Sequence, residues 1–586
     1  MNRIAWLPES IDLFGAETLT RPRNGRFLQL DPDKLRGGYY TPTPVADWMC
    51  SWAIRGAKDR VLEPSCGSGI FLTSAVTRLR ALGCQHSLAG QVHGVEIVPS
   101  EGAIARDRLA VLMGPDAEQA IAVRDFFDWW AERKLHGFDC IIGNPPFIRY
   151  QSFPEPSRSR AMAIMHRLGL RANRLTNIWV PFVAAAAASL NPGGRLAFVL
   201  PAELLQVTYA AGLRSFLTDR FSSIDIVTCN ELFFRGAEQE VVLLLADGAV
   251  PTPSPDNVCR VALHQAGSVN DILNRLPADL TRNLEHKDVR HDQEKWLKYF
   301  LDRREIDLMR ELRNASMIAT LSAHASIDVG IVTGNNDFFV VTADQANSHG
   351  LMEHTIPLIS RSSQLRGARL TAHEWRSLSS AGERVHLLNF NPIATRTLHG
   401  AVAKYVRNGE KQGVHKGYKC SIRSPWFTVP AVWRPEAFFF RQIYDFPRVV
   451  RNHAGATSTD TIHRLSCHKP GANALISSLY THMTAASAEI EGRSYGGGVL
   501  ELEPTEAERL LTPAELGGGV PVEECDRLVR AGRLSEILQE NDRLILRNQL
   551  GLPACDCALL KDVWDKMRDR RRNRVRRKRA AVNGTS

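Results

Sequence analysis

From about Leu35 to Asp247 the chain alternates between short, mostly apolar runs and longer amphipathic or alanine-rich stretches. RVLEP (60–64), QVHGVEI (91–97), FDCIIGN (138–144), GRLAFVLP (194–201) and SIDIVTCN (223–230) have the length and composition of buried strands. Segments between them, such as GIFLTSAVTRLRAL and PFVAAAAASL, have the composition of helices. Strands alternating with helices predict a mostly parallel, doubly wound α/β sheet, with its ligand outside the carboxyl ends of the strands.

The rhythm changes at a proline-rich break, AVPTPSPDN (249–257). Beyond it, residues 260–325 read as largely helical, and 326–470 as short β-like pieces with aromatic clusters and polar loops. Residues 505–550 read as helical again. The expected organisation is an N-terminal arm (1–34), an α/β domain (35–250), a mixed α+β domain (251–553) and a basic, disordered tail (554–586).

Composition adds limits. At 586 residues the chain is too long for one core, and 44% apolar with 23% charged residues is ordinary for a globular protein. The longest apolar run, IWVPFVAAAAASL, is too short to span a bilayer and contains Pro181. The N-terminus lacks a signal-peptide layout. Eleven cysteines without repeating spacing predict neither a disulfide framework nor a metal site, and a cytoplasmic location fits. Net charge is +10, but KMRDRRRNRVRRKR (566–579) alone holds ten Lys/Arg and one Asp, which leaves the rest near +1. Such a run reads as an electrostatic hook for nucleic acid.

Chemistry concentrates where the apolar runs end. VLEP leads into SCGSGIF, where Gly67 and Gly69 let backbone approach a ligand ahead of a helix N-terminus. The second strand ends in Glu96, an acid suited to two vicinal ribose hydroxyls. AVRDFFDW sets Asp125 beside Phe126, an acceptor for an adenine amino group and an apolar wall for its ring. FDCIIGNPPF ends a strand in Asn144-Pro145-Pro146-Phe147, because two prolines cannot continue a ladder.

As a set, YYTP, LEPSCGSGIFL, GVEI, IIGNPPF, NIWVPFV, PGGRLAFVLPAELL and ELFFRGAEQEVVLLL resemble the gamma-class amino DNA methyltransferases, the TaqI-type adenine methylases of restriction-modification systems. The resemblance covers roughly residues 37–247. It implies a Rossmann-like domain using S-adenosylmethionine, with Tyr40, Thr41, Glu63, Pro64, Cys66, Gly67, Gly69, Glu96, Ile97, Asp125, Phe126 and Asn144 at the cofactor. It implies catalysis by Asn144, Pro145, Pro146 and Phe147, with Phe233 as a second stacking aromatic and Phe234 as the one-residue-slip alternative. The exocyclic nitrogen of adenine is a poor nucleophile. The Asn144 side-chain carbonyl and the Pro145 backbone carbonyl are two acceptors that draw it toward tetrahedral geometry, preorganised by the prolines. Phe147 stacks on a base rotated out of the duplex.

The implied activity is that of an adenine-specific, site-specific DNA methyltransferase acting on double-stranded DNA, with a cognate restriction endonuclease as a potential partner and no metal. The long C-terminal half then reads as a target-recognition domain, with Arg423, Arg441, Arg451 and Arg464 as candidate base readers. An RNA amino-methyltransferase and a bifunctional enzyme that also cleaves are the competing readings. The second rests on a loose match at Pro255-Asp256 and Glu285-His286-Lys287.

Overall fold

The computed structural model describes residues 41–132, 137–171, 176–231, 233, 240–277, 279, 287, 294–394, 398–495 and 498–583. The chain forms two compact units, the first running to Phe300 and the second spanning Leu301–Val575.

The first unit is built on an eight-stranded sheet: β1 (Val61–Glu63), β2 (Val92–Glu96), β3 (Ile121–Val123), β4 (Phe138–Gly143), β5 (Leu190–Pro201), β6 (Phe221–Cys229), β7 (Val241–Ala249) and β8 (Arg260–Ala266). Their order is β3-β2-β1-β4-β5-β7-β6-β8. Pairing is parallel from β3 through β5 and between β6 and β8, while β7 runs antiparallel to both β5 and β6. The order turns back at β1, and β1 and β4 lie side by side at that switch, so their carboxyl ends open the crevice where such sheets bind ligands.

Helices cover the sheet. α1 (Thr43–Ala53) opens from the TPTP segment with a proline in its first turn, where a missing N–H costs nothing. It buries Val45, Met49 and Trp52 in an apolar cluster shared with α2 (Ile70–Ala81). α3 (Pro99–Met113) follows β2, and α4 (Phe126–Ala131) follows β3 with Asp125 as its N-cap. α5 (Ser157–Arg167) precedes α6 (Trp179–Ala187), whose nine residues are all buried.

Two expectations are corrected here. The proline-rich break does not end the α/β domain at 250, and the residues after it do not begin as helix. RVALHQA forms β8 and pairs with β6 over seven residues, from Ser223–Arg260 to Cys229–Ala266. The break is a loop inside the first unit.

The second unit is mixed α+β, as its irregular pattern suggests. A five-stranded sheet is formed by β9 (Ala325–Asp328), β10 (Arg369–Leu370), β11 (Ala437–Phe440), β12 (Val449–Asn452) and β13 (Ile462–Cys467), in the order β9-β13-β11-β12-β10. A four-stranded sheet of Val340–Val341, His386–Leu388, Thr355–Ile359 and Thr457–Ser458 packs its own apolar cluster with α7 (Gly400–Lys411).

The tail is corrected too. Residues 554–583 form a helix, α8 (Ala554–Asn583), and its described part is docked rather than disordered. Leu560, Val563, Trp564 and Met567 are buried at spacings of three and four, and Arg571 continues the stripe. The Arg571 guanidinium is buried with Glu489, donating at 3.1 Å through Nε and 2.5 Å through Nη2, and it also donates to the Tyr444 carbonyl at 3.0 Å. Lys566 pairs with Glu305 at 2.5 Å.

Candidate active site

The tips of β1, β2, β3 and β4 are tied together by hydrogen bonds among the residues singled out from the sequence and their immediate neighbours. The Gly67 amide donates to Glu96 Oε2 at 2.8 Å, and the Val98 amide to Glu96 Oε1 at 2.8 Å. The Cys66 amide donates to the Val95 carbonyl at 3.0 Å, which holds the glycine turn against the end of β2. Gly67 has a φ of 48°, and a side chain there would meet nothing within 4 Å. The turn therefore presents open space directly above its backbone, beside the carboxylate of Glu96.

Glu63, at the end of β1, is 2% exposed, and its Oε2 is buried with no hydrogen-bond partner among the described residues. Burial pushes its carboxyl well above the usual carboxylate range, and nearby Glu96 pushes in the same direction. Glu96 is also raised, by burial, although three backbone N–H groups oppose the shift. Two buried acids side by side, one lacking a partner, form a site that favours a cation.

Asn144 leaves β4 through Gly143. Gly143 has a φ of 150°, and a Cβ on it would lie 3.2 Å from Glu63 Cγ, so a larger residue there would be strained and would crowd Glu63. Asn144 Nδ2 donates to the Thr41 hydroxyl at 3.3 Å, which fixes the amide so that the carbonyl end points away from Thr41. The Ser65 hydroxyl donates to the Asn144 backbone carbonyl at 3.4 Å. Hydrogen bonds thus join Thr41, Asn144 and Ser65 on one side and Gly67 with Glu96 on the other, and Glu63 is buried near Glu96.

Asp125 lies at the end of β3, next to Arg124, whose amide donates to the Glu96 carbonyl at 2.8 Å. Its Oδ1 accepts from the amides of Phe127 at 2.7 Å and Asp128 at 3.1 Å, and its Oδ2 accepts from the Ser157 hydroxyl. Phe126 is buried, stacked on Phe182 with centroids 5.0 Å apart. Phe147 is partly buried against the apolar cluster of the first unit, and Phe233 is a buried member of that cluster. The placement of Phe233 is that of a core ring. Tyr40 and Phe234 lie outside the described residues.

Sequence reasoning missed the serines. Ser65 stands inside a quoted motif but carries no spacing signal of its own. Ser157 is 32 residues from Asp125, and nothing local marks the pairing.

The four candidate base-reading arginines are engaged within the fold. Arg423 donates to the carbonyls of Val332, Thr333 and Thr428 at 2.7, 2.7 and 3.0 Å. Arg441 pairs with Glu501 and Glu503, Arg451 donates to the Glu436 carbonyl, and Arg464 is buried over Trp433 with hydrogen bonds to Val329 and Ala431. Each holds a fold together. Of the loose nuclease pattern, Pro255-Asp256 falls in the β7–β8 loop and Glu285-His286 lies outside the described residues. Among the described residues, no cluster of His, Cys, Asp and Glu could hold a metal, and no helix is long and apolar enough to cross a membrane.

Comparison with known proteins gives a consistent result. Residues 91–234 match the family of the Eco57I restriction-modification methylase, and 293–546 match the C-terminal domain of the type II methyltransferase M.Eco57I. The chain is 21% identical over 496 residues to the type II methyltransferase M.AccI of Acinetobacter calcoaceticus, covering 82% of this chain and 85% of that one. It is 23% identical over 496 residues to M.XamI of Xanthomonas campestris pv. amaranthicola, with the same coverage, 82% and 85%. It is also similar in fold to the type IIL restriction-modification enzyme MmeI, solved in complex with DNA, at a TM-score of 0.52 and 13% identity over 90% of this chain and 75% of that one. The two matched regions follow one another as the two units do, and the first contains the tips of β2, β3 and β4. The chain thus matches, one after the other, two domain families of type II restriction-modification methyltransferases.

Proposed function

We propose that this protein is a site-specific DNA methyltransferase that moves a methyl group from S-adenosylmethionine to the exocyclic amino group of adenine. The observation that carries the reading is the Asn144 amide, set on a proline-stiffened strand tip, oriented by Thr41, and adjoining a buried acidic pocket.

S-adenosylmethionine supplies a methyl group on a positively charged sulfur. The residues at hand suit it: Glu63 Oε2 is an unused acceptor, the Glu63–Glu96 pair favours positive charge, and the space above Gly67 admits a ligand against backbone. Glu96 retains acceptor capacity for ribose hydroxyls, and Asp125 with Ser157 frames the end of β3.

At the acceptor base, the Asn144 side-chain carbonyl and the Pro145 carbonyl each take one N–H of the amino group. The nitrogen lone pair is thereby withdrawn from the ring and becomes available for attack. After transfer the now cationic nitrogen loses one proton to solvent. Phe147 holds the base once it has been turned out of the duplex. A cognate restriction endonuclease is the partner this reading implies.

Transfer of tritiated methyl into DNA, with RNA in parallel, tests the proposal. Asn144→Ala should abolish incorporation while S-adenosylmethionine still binds. Normal turnover by that variant would overturn the catalytic assignment, and incorporation into RNA but not DNA would overturn the substrate.

A further inference from the structure

The second unit carries a cationic surface that the arginines predicted from sequence do not explain. Residues 398–434 contain seven Lys/Arg and one acid, Glu410, a net of +6 in a chain whose first 565 residues sum to about +1. Lys404, Arg407, Lys411, Lys416 and Lys419 are all exposed, and among the described residues none has a carboxylate within ion-pair distance. Glu410 accepts from Trp426 Nε1 at 3.1 Å.

In the middle of this charge stand two apolar side chains that face water. Tyr418 is 70% exposed and Ile422 is 63% exposed, one at the start of a single helical turn, Tyr418–Ser421, and the other just past its end. Their spacing of four residues puts them on one face. Lys419 lies over the Tyr418 ring at 5.7 Å.

The turn is fixed. Cys420, between the two exposed residues, is fully buried. Arg423 clamps the segment through its three hydrogen bonds to Val332, Thr333 and Thr428. Gly334, at a φ of 87°, packs so closely that a Cβ there would lie 2.9 Å from Lys419 Cβ. Apolar side chains held outward on a fixed turn, in a segment rich in cations without carboxylate partners, suit a polyanion with apolar surface between its charges. Duplex DNA has both, with phosphates at the groove edges and thymine methyls and base edges inside.

We infer that the 416–422 turn is a DNA-contacting element, with Lys416 and Lys419 on backbone phosphates and Tyr418 and Ile422 laid into the groove against bases. This rests on the DNA methyltransferase reading and names where in the second unit the duplex is held.

The test is fluorescence anisotropy of the full-length protein with a labelled mixed-sequence duplex across a salt series. All the altered side chains are exposed, and unchanged melting curves will confirm that the variants fold. Lys416→Ala/Lys419→Ala should flatten the log–log salt slope by about 1.8, roughly 0.9 for each phosphate that is no longer neutralised. Tyr418→Ala should weaken binding about tenfold at an unchanged slope. If either variant binds as wild type does, the element is not a DNA contact, even though wild-type methyl transfer into DNA would leave the enzyme reading intact. A partner protein using this face would give that same negative result. Failure of the wild type to bind any duplex would overturn both readings.

Discussion

Replacing Glu63 by glutamine isolates the electrostatics of the pocket. The carboxyl is 2% exposed, and one oxygen has no partner among the described residues. Burial and Glu96 raise its pKa in the folded protein well above the unfolded value. The sign follows from proton linkage. Because the folded state holds this proton more tightly, folding is favoured below the unfolded pKa and loses stability as pH rises through the folded pKa. Glutamine keeps the shape and cannot ionise, so Glu63→Gln should match wild type near pH 4.5 and become more stable than wild type as pH rises. A buried unpaired polar group costs about 1–3 kcal/mol, more when charged. At about 2–4 °C per kcal/mol, the gap should reach several degrees in melting temperature by pH 8. S-adenosylmethionine should do the opposite, binding wild type with release of a proton and binding the variant more weakly. Melting curves from pH 4.5 to 8.5 and calorimetry in two buffers of different ionisation enthalpy read both effects. A variant less stable than wild type at pH 8, or a wild-type binding enthalpy that does not depend on buffer, would refute the reasoning.

Thr41→Val removes the acceptor that orients the Asn144 amide, so kcat for methyl transfer should fall by tenfold or more while KM for S-adenosylmethionine changes little. Gly143→Ala forces a strained φ and a 3.2 Å approach to Glu63, and should lower stability by about 1–3 kcal/mol in urea unfolding. Glu489→Ala strips the partner from buried Arg571 and should cost about 3–5 kcal/mol, whereas Glu489→Leu/Arg571→Met should recover most of that stability. Truncation after Arg572 keeps that pair and removes five basic residues. It should flatten the salt dependence of DNA binding without lowering the melting temperature.

How much could be read in advance depended on whether a residue's partner was local. β1, β4 and β5 were visible because strands buried on both faces are apolar over most of their length. β8 was not, because RVALHQA lies at the edge of the sheet, mixes polar with apolar positions and follows prolines. The acids and Asn144 were legible as strand-tip residues, since their positions in the fold follow from where the apolar runs stop. The arginines of the second unit were not, because a guanidinium that reads a base and one that caps three carbonyls look alike until the fold brings those carbonyls together. The tail did carry a signal that its charge obscured: Leu560, Val563, Trp564 and Met567 repeat at helical spacing. A stripe of that kind predicts a docked helix, and buried Arg571 continues it.

The pairing of β8 with β6 also bears on how the protein can be dissected. A fragment ending at the proline-rich loop would leave the length of β6, otherwise a central strand, as a bare row of amides and carbonyls bordered by apolar side chains. Exposed strand edges of that kind recruit further strands from other molecules. Expression of the methyl-transfer half alone should therefore extend to Phe300, where material cut near residue 250 would precipitate.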